Sequence, residues 1–271
     1  MKIYDCFSYW DEDLLLDLRF NILDKYVDYF VVVEGNKTWQ NNPKKLRFNI
    51  NNFPKFKNKI IYISVEDMPE GNNPYLRENF QRNCIMRGLS DASNEDMVII
   101  SDLDEIPNPE SIYKFKPNMR FAVFKQKHFY YKINSQSQKN PFWYGSKICV
   151  KKYLKSPQWL RELKFKKRPF WRIDKYRLNN ILDGGGWHFC NLKTAEELLY
   201  KYKNLCETND PYIFKEKIDK KYLELEAIKT KIHLGEDIIG RDEIYKKIKL
   251  DDSFPRYVLD NIEKYKNWIV N

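Results

Sequence analysis

Two stretches of the chain, Phe30-Val31-Val32-Val33 and Met97-Val98-Ile99-Ile100, are apolar at every position. A strand with no polar alternation is covered on both faces, as the strands of helix-flanked parallel sheets are. Two further β-rich runs, Ile3–Tyr9 and Lys59–Val65, accompany them. Between the strands lie helical signals. Asp11-Glu12-Asp13 supplies acids for a helix N-terminus, and Leu14, Leu15, Leu18, Ile22 and Leu23 then recur at helical spacing. Pro74 sits where a helix begins, and Leu76, Phe80, Ile85 and Leu89 predict one over 75–89. This order predicts a doubly wound α/β sheet, in which ligands bind beyond the carboxyl ends of the strands. Glu34, Glu66-Asp67 and Asp102 lie at such ends.

After Pro107 the pattern changes. Phe121–Ile133 and Phe142–Tyr153 are aromatic, β-prone runs joined by a polar loop, and they read as an antiparallel pair. The segment Lys147–Arg177 carries 12 Lys and Arg against two acids. Gly184-Gly185-Gly186 precedes Trp187-His188-Phe189. From Thr194 onward helices are predicted at 195–206, 212–231 and 255–270, the first opened by a capping box, Thr194 with Glu197. No repeat or low-complexity linker divides the chain, so 1–271 reads as one domain in three parts: 1–110, a β-rich 111–193 and a helical 194–271.

The net charge of +10 first suggests nucleic acid. Its distribution argues otherwise. Residues 1–110 hold 13 basic and 19 acidic side chains, and residues 111–271 hold 35 and 19. No RNA-binding strand motif or recognition helix is found. No apolar run approaches the roughly 20 residues that span a bilayer. The N-terminus lacks a secretory apolar region, and the five scattered Cys form no C-x-x-C pair. Reduced thiols in a cytoplasmic protein are the plain expectation.

The sharpest chemical feature is Ser101-Asp102-Leu103-Asp104-Glu105, where an apolar strand runs into three carboxylates. In extended chain Asp102 and Asp104 face one point, and acids that close repel each other unless a cation or hydrogen bonds compensate. A hard divalent ion answers that need, and an acidic turn capping the next helix is the plainer alternative. Upstream, Glu78, Gln81 and Arg82 share a helix face. Arg77 and Arg82 could grip a phosphate or a base edge, or belong to a solvated face. Glu34 could accept hydrogen bonds from a ribose or a uracil, or close a polar turn. The glycine triplet requires a sharp bend or a close approach to a ligand. His188 suits Mn²⁺ as a third protein ligand, or packs as a core histidine. Asp183 could serve as a general base or as a turn cap. Phe142-Trp143-Tyr144, Trp159, Trp171 and Arg172 could stack sugars or bases, or simply pack.

Together these stretches resemble glycosyltransferase family 17. The resemblance rests on Ile3-Tyr4-Asp5-Cys6-Phe7, Asp28–Thr38, Phe56–Tyr62, Arg77-Glu78 with Gln81-Arg82-Asn83, Ile99–Pro107 and Gly185-Gly186-Trp187-His188-Phe189, in order over residues 3–190. It implies a GT-A-like mixed sheet flanked by helices, a nucleotide-sugar donor with UDP-GlcNAc as the first guess, and inversion at the anomeric carbon. It implies Mn²⁺ or Mg²⁺ on Asp102 and Asp104, with His188 as a further ligand. Residues 1–110 become the donor and metal part, with Glu34, Arg77, Gln81, Arg82 and Asp102 toward the nucleotide, and 111–193 the acceptor side. The family's usual His-x-Glu corresponds to Leu205-Cys206-Glu207, where the Glu alone matches. Candidate bases are Asp183 first, then Glu78 and Glu207. The chain looks like a soluble bacterial or viral version without the membrane anchor of eukaryotic members. Its acceptor is expected to be a glycan, anionic or lipid-linked, met in the cytoplasm or at the inner face of a membrane. The rival readings are a basic nucleic-acid-binding protein and a sugar-nucleotide nucleotidyltransferase.

Overall fold

Four parallel strands form the first half of the sheet: β1 (Ile3–Tyr9), β2 (Tyr29–Gly35), β3 (Ile60–Val65) and β4 (Met97–Asp102), in the spatial order β4-β1-β2-β3. The computed structural model describes residues 1–164, 180–206 and 223–270. Phe30 and Val32 of β2 pack into one core and Val31 and Val33 into the other, so the strand is covered on both faces as its sequence requires. Each such side chain contributes about 1.5–3 kcal/mol when fully buried.

The sheet continues through β5 (Glu105–Pro107), β6 (Phe121–Tyr130), β7 (Ser135–Ser137), β8 (Phe142–Trp143), β9 (Lys147–Val150), β10 (Ile181–Cys190) and β11 (Tyr245–Lys247). Its long path runs β11-β7-β6-β9-β4-β1-β2-β3. β9 lies antiparallel between β4 and β6, so the 121–150 region forms the antiparallel pairing expected of it. β10 pairs parallel with β6 and antiparallel with β5. The molecule is thus a mixed α/β fold with a large central sheet.

Helices cover the sheet. α1 (Asp13–Leu23) buries Leu15, Leu16, Leu18, Phe20, Ile22 and Leu23. α2 (Pro74–Asn83) starts at Asn73, whose side chain accepts from the Tyr75 amide at 3.0 Å, with Pro74 preset for the first turn. The helix expected over 75–89 changes at Cys84 into a 3-10 segment, Cys84–Leu89. There Gly88 lies so close to β2 that an added Cβ would come 2.4 Å from Val31 Cγ1. α3 (Pro109–Ile112) and α4 (Pro157–Glu162) are short. The capping box of α5 (Ala195–Asn204) forms as expected, with the Thr194 amide donating to Glu197 at 2.8 Å and the Glu197 amide to Thr194 Oγ1 at 3.3 Å. α6 (Leu225–Leu234) follows. The helix expected over 255–270 is instead α7 (Arg256–Asp260) and α8 (Ile262–Tyr265), interrupted at Asn261, with a 3-10 turn after them.

Candidate active site

The turn between β4 and β5 is built on a buried ion pair that the motif itself does not contain. Arg19 of α1 donates to both oxygens of Asp5 on β1 at 2.6 and 2.7 Å. Its remaining protons go to the main-chain carbonyls of Asp102, Leu103 and Glu105 at 3.1, 3.0 and 2.9 Å, and to Ser101 Oγ. Both partners are fully buried. A guanidinium fork can satisfy a carboxylate and three carbonyls at once, which an ammonium cannot. The turn therefore has a fixed shape before any ligand arrives.

The three carboxylates of the turn have different tasks. Glu105 is buried and accepts from Trp143 Nε1 at 2.6 Å, from Ser146 Oγ at 3.2 Å, from the Asp102 amide at 3.1 Å and from Arg161 at 2.6 and 3.0 Å. Asp102 is held from two sides. Arg82 of α2 donates to Oδ1 at 3.1 Å and Arg161 of α4 to Oδ2 at 2.7 Å. Burial pushes the Asp102 carboxyl up, but Arg161 and Arg82 outweigh it and hold the group well below the usual carboxylate range. Asp102 was expected as a metal ligand; both of its oxygens are engaged by guanidinium groups.

Asp104 faces His188 instead. Its Oδ1 lies 3.5 Å from His188 Nε2, longer than a good hydrogen bond. Burial raises Asp104, and His188 and Lys201 overcome it and keep the carboxyl low. For His188 burial works against the charged form, and the neighbouring Asp104 outweighs it, so the imidazole sits well above its ordinary value. Its Nδ1 is buried without a hydrogen-bond partner. The ring stacks on His128 at 5.0 Å and leans on Trp143 at 4.9 Å. Burial, aided by His188, holds His128 down to about 4, and its Nδ1 donates to the Asn140 carbonyl at 3.1 Å.

β10 brings His188 to Asp104. The Phe189 amide donates to the Asp104 carbonyl at 2.8 Å, and His188 is in register with Glu105. The glycine triplet makes this docking possible. A Cβ on Gly185 would lie 2.5 Å from the Lys125 amide nitrogen, and one on Gly186, whose φ is +123°, 2.2 Å from the Ile106 carbonyl oxygen. Among the described residues, the close approach is therefore to neighbouring strands.

Above the turn opens a cleft of about 1310 Å³. This is room for a ligand larger than the usual drug-sized molecule. Its lining includes Glu78, Gln81, Arg82, Asp102, Asp104 and His188, all expected site residues. Gln81 donates to the Val33 carbonyl at 3.1 Å, and Arg82 is shared among Glu78, Asp102 and Gln158.

Three expected site residues lie elsewhere. Glu34 is fully buried and binds Lys44, the amides of Arg47 and Phe48 at 2.8 and 3.0 Å and the Tyr62 hydroxyl at 3.0 Å, so it anchors the 44–48 loop. Arg77 is buried and spends its protons on the carbonyls of Trp39 and Gly71. Asp183 points out from β10, 76% exposed and 3.1 Å from Lys125 Nζ. It is not in the cleft wall. Glu207, Trp171 and Arg172 lie outside the described residues.

The profile of glycosyltransferase family 17 matches residues 1–269. The chain belongs to glycosyltransferase family 17. Curated relatives of this family 17 chain include the beta-1,4-mannosyl-glycoprotein 4-beta-N-acetylglucosaminyltransferases of Rattus norvegicus, 24% identical over 288 residues, and Homo sapiens, 24% identical over 282. The alignments cover 95% and 93% of this chain and 52% of each relative, so the chain spans about half the length of the relatives it matches. No helix among the described residues is long and apolar enough to cross a membrane. The sequence reading missed Asp5, Arg19, Arg161 and Lys201 of this family 17 site. Asp5 alone carried a signal, as an acid inside an otherwise apolar strand that needs a buried cation.

Proposed function

We propose that this chain moves a GlcNAc-type sugar from a UDP-sugar to a glycan acceptor, inverting the anomeric carbon, in a GT-A-like fold whose cleft takes a divalent ion. Family membership supports the reaction class. The observation that carries the rest is the Asp104–His188 pair, 3.5 Å apart on the cleft floor beyond the carboxyl end of β4. The donor set suits an ion. Two ligands that each sit about 2.0–2.2 Å from a shared metal are about 3–4 Å from each other, and the 3.5 Å between Asp104 Oδ1 and His188 Nε2 falls in that range. Asp104 and His188 would hold it; Mn²⁺ and Mg²⁺ are the ions that the family resemblance implied. When bound, the ion supplies positive charge against the diphosphate that departs from the sugar.

The chain's own residues supply the remaining parts. Asp102 and Glu78 orient the guanidinium group of Arg82 in the cleft lining, where it can meet an anionic oxygen of the donor, while Arg161 holds Asp102 and Glu105 from behind. Trp10 and Trp39, edge to face at 5.5 Å, both line the cleft, and a ring face of either suits stacking of the base. Phe142 and Trp143, each about two-fifths exposed, suit an acceptor sugar. Glu78 is the carboxylate to which we give the acceptor's proton, because it lines the cleft and Asp183 does not. The positive second half of the chain suits an anionic or lipid-linked acceptor.

The test is UDP-GlcNAc turnover with a panel of glycan acceptors, with and without EDTA. Chelation and Asp104→Ala are expected to abolish turnover, Glu78→Gln to lower it by about a hundredfold or more, and Asp183→Asn to leave it unchanged. Full activity after chelation and in Asp104→Ala would overturn the metal-assisted reading, and loss in Asp183→Asn alone would return the base role to that residue.

A further inference from the structure

Cys190 follows His188 by two residues on β10, so both side chains leave the strand on one face. One donor atom each from Asp104, His188 and Cys190 lies within 4.8 Å of the other two. Unlike Cys6, Cys84 and Cys149, which are buried in the sheet cores, Cys190 is half-buried and lines the cleft. The cluster is more than a lone thiol. His188 is 6% exposed with Nδ1 unpartnered, and Lys201 of α5 lines the same cleft, donating to Asn191 Oδ1 at 2.9 Å. Burial opposes the Lys201 charge, and Cys190, Asp104 and Glu12 outweigh it.

We propose that Cys190 is the third protein donor beside Asp104 and His188, so that the cleft selects a thiophilic divalent ion, Zn²⁺ or Co²⁺, over Mg²⁺. This rests on the metal-assisted reading above and deepens it. Mg²⁺ takes oxygen ligands almost alone, whereas one carboxylate, one imidazole and one thiolate form a borderline-soft set. Donor atoms within 4.8 Å of one another can close on one ion at about 2.0–2.3 Å per bond with small side-chain rotations. Binding displaces the Cys190 thiol proton and the proton on the His188 nitrogen that takes the ion, and both leave to solvent.

Cobalt reports the bond directly, because a thiolate ligand gives a near-ultraviolet charge-transfer band that carboxylate and imidazole do not. The full chain, stripped of metal, is titrated with Co²⁺ and followed by absorption and calorimetry, in parallel with Cys190→Ser and Cys206→Ser. Cys206 is the control because it also lines the cleft. The parent and Cys206→Ser are expected to bind with the band. Cys190→Ser is expected to bind without it, with Zn²⁺ affinity down by about tenfold or more and Mg²⁺ affinity nearly unchanged. Co²⁺ binding by the parent with no band overturns the inference while sparing the metal-assisted reading, and that result needs no variant. A band that survives in Cys190→Ser also overturns it. No binding of Co²⁺, Zn²⁺ or Mn²⁺ by the parent overturns both.

Discussion

Arg19 and Asp5 form a fully buried ion pair at 2.6 Å whose cation also holds the carbonyls of Asp102, Leu103 and Glu105. The pair ties α1 to β1 and sets the turn that carries the acidic motif. Removing one member leaves an uncompensated charge in the core, at a cost of about 3–5 kcal/mol. Arg19→Met is therefore expected to lower Tm by on the order of 10 °C. Arg19→Lys should recover only part of this, because an ammonium cannot reproduce the fork. Thermal denaturation of both variants checks the claim, and full rescue by lysine would refute the geometric part.

The two aspartates of the motif should separate in metal-binding calorimetry. Asp104 faces His188, whereas both oxygens of Asp102 are occupied by Arg82 and Arg161. Asp104→Asn is expected to weaken Mn²⁺ binding by about tenfold or more, and Asp102→Asn by much less. Equal losses would place Asp102 among the ligands.

The glycines of β10 should not be equivalent. A Cβ on Gly185 or Gly186 meets main-chain atoms of the neighbouring strands, while one on Gly184 has open space with Lys114 Nζ as its nearest contact at 4.0 Å. Gly184→Ala carries only the strain of its φ of +66°, about 1–2 kcal/mol. Gly185→Ala and Gly186→Ala must push strands apart and should cost several times as much. Tm values in the opposite order would contradict the packing described above.

Lys147 should make stability depend on pH. It is buried on β9 beside Arg161, and burial, with Arg161 adding to it, lowers its pKa to about 7 from 10.5. Glu105 and Asp102 pull the other way and Arg82 adds to the lowering. Between about 7 and 10.5 the unfolded chain binds a proton that the folded chain does not, so this group makes stability rise with pH by about 1.4 kcal/mol per unit. The penalty is complete below pH 7 and lifts as pH approaches 10.5. The difference in Tm between Lys147→Met and the parent should therefore favour the variant at pH 7 and shrink by pH 10. A constant difference would show that Lys147 stays charged in the fold.

The parallel half of the sheet was legible because Phe30–Val33 of β2 and Met97–Ile100 of β4 are apolar at every position, a pattern few other folds tolerate. The capping box at Thr194 was legible for the same kind of local reason. What escaped was long-range. Arg161 sat among 12 cations of one basic stretch, and nothing in its neighbours distinguishes a residue that will pin Asp102 and Glu105. Arg77 and Glu34 lie in the right stretches, yet loop carbonyls and amides claimed them, and those loops have no sequence period to read. The break at Asn261 likewise reflects a turn that apolar spacing alone does not reveal.

The placement of His188 on β10 also has a bearing on how the protein comes into being. β1 to β4 can assemble from short βαβ units as they leave the ribosome, whereas β10 must cross back over a long stretch of chain to pair with β5 and β6. Closing that distance is costly and slow, so it comes late. Asp104 thus waits, already shaped by Arg19, for a partner made much later in synthesis. A nascent or truncated chain that ends before β10 would lack His188 and so have nothing to set opposite Asp104.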